Sequence, residues 1–250
     1  MHEVVDALRA QQAELAGYVA HLDAQGLARP SRCPGWSVAD VLLHLAQTNE
    51  MAVASVAGQL GSFVEQATDR LAPAGSIDEW AGSLVELQRG EPTADRDRWL
   101  ASAEAQADAF AGCDPGERVE WVAGQLAART LATTRLTETW IHTVDVAAAF
   151  GPPPAPTDRL WHTARLVWRT VPYALGQAGI AAAGPVAFDL TAPDGSRWAF
   201  GTDDAPTTTV SGSAAELCEV AGQRAVAADT SLVGSGPDAE AVLRLMRTFA

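Results

Sequence analysis

The sequence predicts a mainly α protein: a helical domain over residues 1–183 and a small α+β domain over residues 184–250. Three observations carry that reading. Apolar residues recur at three- to four-residue steps through most of the first part. Alanine, the best helix former, is the commonest residue. Near Gly184-Pro185 the pattern shifts to the partial alternation of a half-buried strand.

The elements follow in order. Val5, Leu8, Leu15, Val19 and Leu22 mark a helix over residues 3–25, and Pro30, Pro34 and Gly35 then impose a rigid loop. Ser37 and Asp40 resemble a capping box, which usually carries Glu or Gln in the second place. Trp36 stands where a hydrophobic staple would, and the helix runs to about Val56. Residues 59–76 read as irregular and suited to covering a pocket. Helices follow over Ile77–Leu87, Asp95–Phe110 and Gly124–Phe150, the last ended by Gly151-Pro152-Pro153-Pro154. A helix from Thr157 to Ala178 contains Pro172, which is expected to kink or shorten it. Val186–Thr191 and Arg197–Phe200 read as a hairpin around Pro193-Asp194-Gly195. Thr207–Val210 reads as a third strand, with short helices over Ala214–Arg224 and Asp238–Phe249.

Composition narrows the function. The 250 residues are 48% hydrophobic and 19% charged, ordinary for a chain with a substantial core. All 17 basic residues are arginine, and the net charge of −14 disfavours nucleic acid and anionic membrane surfaces as partners. No run approaches a membrane span, and the polar amphipathic start is unlike a secretion signal. Three scattered cysteines argue against a disulfide framework. The expectation is a cytoplasmic protein.

Glu138 and His142, four residues apart, share one face of a helix and can chelate one cation. His44 adds a third ligand if its helix packs alongside. One carboxylate and two imidazoles leave coordination positions open, the catalytic pattern for zinc, and also suit ferrous iron or another divalent ion. Each residue also has a plainer reading. His142 would be a helix-surface or hydrogen-bonded core histidine, His44 a neutral core histidine, and Glu138 the partner of Arg135 on a solvated face. Scarcity favours the metal reading: both histidines sit in apolar helical stretches, where an unpaired ionisable group is costly.

Cys33-Pro-Gly-Trp-Ser-Val-Ala-Asp-Val-Leu-Leu-His-Leu-Ala46 is similar to the N-terminal signature of the mycothiol-dependent maleylpyruvate isomerase family, within the DinB-like metalloprotein superfamily. Residues 128–151 resemble its second metal-binding helix, with the Arg135, Glu138, Trp140, His142, Asp145 spacing of an actinobacterial branch. The C-terminal stretch resembles that branch as well. The resemblance implies a DinB-like up-down four-helix bundle with His44, Glu138 and His142 as metal ligands. It also implies mycothiol as thiol cosubstrate, and S-transfer to, or cis-trans isomerisation of, a small electrophile. Arg224 resembles a family position thought to meet a substrate carboxylate, with a plain surface arginine as the alternative. Asp145 would orient an imidazole, or be a carboxylate at the bundle rim. Cys33 reads as a buried structural cysteine, with a fourth ligand or redox-sensitive thiol as alternatives. Trp36 and Trp140 read as bundle packing. A metal-stapled binding or regulatory module, or a metal hydrolase on the same bundle, are the competing functions. Metal identity and oligomeric state, monomer or homodimer, are left open.

Overall fold

A computed structural model describes residues 1–69, 71, 75–122 and 124–248. Its backbone contacts divide the chain into two units, Met1–Pro154 and Ala155–Ala250.

In the first unit, four long helices form the bundle: α1 (His2–Val19), α3 (Val38–Val56), α6 (Pro92–Ala111) and α7 (Ala128–Ala147). Shorter α2 (Ala24–Leu27), α4 (Leu60–Thr68) and α5 (Ile77–Gln88) surround them, with a hairpin of β1 (Arg118–Trp121) and β2 (Gly124–Ala127). Helix α3 packs on α6, and α1 packs on α7. Among the described residues, the apolar stripes meet in clusters that include the following two. Val38, Leu42, Leu45 and Trp99 anchor one, and Val5, Leu8, Phe110 and Leu131 the other.

Polar side chains fix the bundle's register. Gln106 Nε2 donates to Asn49 Oδ1 at 2.8 Å, Asn49 Nδ2 to Ser102 Oγ at 3.2 Å, and Gln12 Nε2 to Gln106 Oε1 at 3.3 Å. All four residues are buried, so sliding one helix would strand several polar groups. At the start of α3, Ser37 and Asp40 form a reciprocal capping box, with Asp in the place Glu usually takes. Arg89 Nε donates to Asp40 Oδ1 at 2.6 Å.

Two segments differ from their sequence expectation. Residues 60–68 of the irregular 59–76 stretch form α4, while Pro73 lies outside the described residues. The helix expected from Gly124 begins only at Ala128. Gly124, at φ 103°, closes the β1–β2 turn, and Val119 is the buried residue of β1. A four-residue strand is too short for period-2 alternation to stand out beside a long helix.

In the second unit, β3 (Val186–Thr191) pairs antiparallel with β4 (Arg197–Phe200) and parallel with β5 (Thr208–Ser213). Strand β5 pairs antiparallel with β6 (Val233–Ser235). The expected hairpin is present, with Phe188 opposite Phe200 and Gly195 at φ 85° in its turn. Helix α8 (Leu160–Gln177) continues through Pro172 to Gln177. It packs on α9 (Ala214–Ala221), α10 (Ala239–Leu245), β3 and β4. Those contacts place α8 with the C-terminal unit, so the division falls in the proline-rich segment and not near residue 183. Among the described residues, no helix is long and apolar enough to cross a membrane.

Candidate metal centre

Helix α7 is buried nearly all round, an unusual setting for so many threonines. Their hydroxyls bond back into the helix: Thr137 Oγ1 donates to Thr133 O at 3.0 Å, Thr139 to Arg135 O at 2.8 Å, and Thr143 to Thr139 O. That bonding satisfies polar atoms that would otherwise resist burial. The i, i+3, i+7 face of α7 then carries Arg135, Glu138 and His142, opposite His44 and Thr48 of α3.

His44, Glu138 and His142 converge. His44 Nε2 lies 3.8 Å and His142 Nε2 3.6 Å from the same oxygen, Glu138 Oε2. The two imidazole centroids are 5.1 Å apart. Tetrahedral metal bonds of about 2.1 Å would set ligand atoms about 3.4 Å apart, so this spacing fits a divalent ion between them. Buried nitrogen and carboxylate donors too far apart to hydrogen-bond to one another are the donor set such an ion needs.

Charge in the triad is finely divided. Burial pushes the His44 imidazole below its usual pKa, towards the neutral form that ligates metals. Burial alone would raise the Glu138 carboxyl, but His44, Arg135 and His142 outweigh it and hold it at about 2. Burial alone would lower His142, yet hydrogen bonding to Asp145 and the nearness of Cys33 and Glu138 raise it to about 9.

The proline-rich loop supplies the next layer. Arg32 N donates to Asp145 O at 3.0 Å, Trp36 N to Cys33 O at 3.1 Å, and Gly35 turns at φ 80°. These bonds bring Cys33 to α7, where its thiol donates to Asp145 Oδ2 at 3.2 Å and lies 3.8 Å from His142 Nδ1. Asp145 is fully buried, and its Oδ2 is 3.0 Å from His142 Nδ1. Its carboxylate therefore faces the imidazole and not the bundle rim. Cys33 is half-buried, more accessible than a core cysteine. Cys33, His142 and Asp145 form a second group of potential ligands. There the atoms already hydrogen-bond to one another, whereas the atoms of the first triad do not. Trp36 tilts over His44 with ring centroids 5.2 Å apart, and Trp140 is buried.

Arg224 belongs to the second unit. It lies past the end of α9, in a turn where Gln223 has φ 60°, and not on the helix expected to reach it. Its Nη1 donates to Gly222 O at 2.9 Å. Arg135 was missed as a site residue. It is 3% exposed beside the triad and not on a solvated face. Its place three residues before Glu138 on one helix face was the signal available.

With fold and site in view, comparison with known proteins assigns the class. Residues 8–147, more than half of the chain, match the family described as the mycothiol maleylpyruvate isomerase N-terminal domain, and the chain belongs to that family. It is similar to the uncharacterized proteins Rv0036c and MT0041 of Mycobacterium tuberculosis, strains ATCC 25618 / H37Rv and CDC 1551 / Oshkosh. Identity to each is 33% over 245 residues, covering 97% of this chain and 93% of the relative. Among solved structures, it resembles the crystal structure of the mycothiol-dependent maleylpyruvate isomerase. That likeness has a TM-score of 0.61 and 18% identity, and spans 94% of this chain and 92% of the other. At this identity it establishes a shared fold.

Proposed function

We propose that His44, Glu138 and His142 hold one divalent metal ion, with zinc the first choice by ligand type. The chain would use it, with mycothiol as thiol cosubstrate, to act on a small electrophile by S-transfer or cis-trans isomerisation. The observation that carries this reading is the meeting of two imidazole nitrogens and one carboxylate oxygen, 3.6 and 3.8 Å apart, within the bundle of a thiol-isomerase family. A bound divalent cation supplies Lewis acidity, which lowers the pKa of a coordinated thiol.

The chain's own residues do the rest. Asp145 Oδ2 accepts a hydrogen bond from His142 Nδ1–H, which fixes that ring and turns Nε2 towards Glu138. Trp36 covers His44 and limits water on that side. For isomerisation, a thiolate adds to the conjugated double bond, the resulting single bond rotates, and the thiolate leaves with the double bond reformed. For transfer, the thiolate displaces a leaving group and stays on carbon. Arg224 enters this proposal through its chemistry, a guanidinium fork suited to a carboxylate. An Arg224→Lys variant with a raised KM and little change in kcat would bear that out. The cytoplasm, where low-molecular-weight thiols stay reduced, suits three free cysteines.

The test is turnover of an electrophile panel, maleylpyruvate included, by zinc-loaded protein with mycothiol. Expected is turnover that needs both metal and thiol and is lost in a folded His142→Ala variant. Equal turnover in that variant would overturn the proposal. Turnover without thiol would replace it with a hydrolase, and a large gain in melting temperature without turnover would replace it with a metal-stapled binding module.

A further inference from the structure

Arg135 is a buried cation with unused bonding capacity. Its side chain is 3% exposed, and its Nε has no hydrogen-bond partner among the described residues. One Nη donates to Thr48 Oγ1 at 2.7 Å, and the Thr48 hydroxyl in turn donates to His44 O at 3.0 Å. Among the described residues no carboxylate comes within the 4.0 Å of an ion pair, and Glu138 acts on Arg135 only through space. A guanidinium is always charged in a protein. Burying one without a paired anion is strongly unfavourable, which makes this a place where an incoming anion is favoured.

Its surroundings say what the anion would be attached to. The guanidinium carbon lies 6.0 Å from the centroid of the Trp121 ring. Trp121 is one wall of a mainly apolar cavity of about 690 Å³, which Met51, Leu60, Val64, Trp80 and Glu120 also line. Met51 follows Thr48 by one helical turn on α3, and His44 precedes it by one. On α3, Thr48 thus lies between His44 of the triad and Met51 of the cavity wall, and Arg135 neighbours that wall through Trp121.

We propose that Arg135 is an anion-recognition residue, binding the carboxylate of a small substrate whose apolar part occupies the cavity beside Trp121. The fork of Nε and Nη suits the two oxygens of a carboxylate, and the charge makes that pairing stronger than one to a neutral acceptor. This inference rests on the metal reading only in placing the reacting atom near the triad.

The experiment is calorimetric titration of zinc-loaded protein with maleate, and separately with its uncharged diamide. Arg135→Gln should weaken maleate binding by about ten- to a hundred-fold, the usual effect of losing a charged hydrogen bond. Diamide binding should stay unchanged, and zinc affinity, followed by competition with a chelating dye, should not fall, because a cation beside Glu138 has been removed. Arg135→Lys should fall between. Unchanged maleate affinity in Arg135→Gln, or an equal loss for the diamide, would overturn the proposal. Should the variants fail to fold, the wild-type protein crystallised with maleate decides. A carboxylate oxygen within hydrogen-bond distance of Arg135 Nε supports the proposal, and maleate bound elsewhere ends it. Repeating the titration without zinc separates the two readings: Arg135-dependent binding in a protein that takes up no metal would sink the metal centre and leave this site standing.

Discussion

His142 is engaged at both ring nitrogens: Nδ1 lies 3.0 Å from Asp145 Oδ2, and Nε2 lies 3.6 Å from Glu138 Oε2. The first contact sets the orientation of the second. An imidazole whose far nitrogen donates to a carboxylate is a better ligand through the near one. Asp145→Ala should therefore lower zinc affinity by about ten- to a hundred-fold with helix content intact. Competition with a chelating dye measures the first and circular dichroism the second. Unchanged affinity would reduce Asp145 to a packing role.

Zinc binding should strengthen as pH rises. In the metal-free protein His142 titrates at about 9, so near neutrality a metal must displace its proton. Apparent affinity should rise about tenfold per pH unit between 7 and 9, then level off. The metal-free fold should show the opposite trend. Its raised His142 pKa contributes stability that is full below the unfolded value of 6.5 and is lost as pH climbs through about 9. Melting curves with and without zinc at pH 6, 8 and 9.5 should thus diverge.

Removing the α3 cap should loosen the helix that carries His44. Asp40→Ala should cost about 1–2 kcal/mol, most of it from the capping bonds to Ser37. The Arg89 contact should add little, because that side chain is 48% exposed and screened by water. Denaturant unfolding measures this, and Arg89→Ala alone should shift stability much less.

Leu42 sits fully buried in the cluster with Val38, Leu45 and Trp99. Leu42→Ala should cost about 2–5 kcal/mol by leaving a cavity between α3 and α6. Zinc affinity of the remaining folded protein should stay close to wild type, since Leu42 is not part of the triad's polar face. A combined loss would mean that core packing, and not the ligand set alone, holds the triad together.

The sequence made the bundle legible where periodicity was long and capped. Ser37 and Asp40 marked the start of α3, and Gly195 marked the β3–β4 turn. It was least legible where elements were short: the β1–β2 hairpin and β6 lack the length for a pattern to show. The domain division was placed at the composition change near Gly184, but α8 takes its partners from the C-terminal sheet and helices, and pairing of that kind leaves no local signal. In the site, the spacing of Glu138 and His142 was enough to put them on one face. Bringing His44 to them depends on how α3 and α7 pack, which spacing alone does not give. The only role the sequence reading gave Arg135 was as a partner for Glu138 on a solvated face, where arginine is usually found, in the alternative to the metal reading. Its burial comes from Thr48 on another helix and Trp121 on the hairpin. Cys33 was read as core, but the loop bond from Arg32 to Asp145 leaves it half-exposed beside His142.

Two groups compete for an ion around His142, and an anomalous difference map recorded across the zinc absorption edge on zinc-loaded crystals separates them. The account predicts one peak, about 2.1 Å from each of His44 Nε2, Glu138 Oε2 and His142 Nε2. A peak between Cys33, Asp145 and His142 Nδ1, or no peak in the bundle at all, would contradict it.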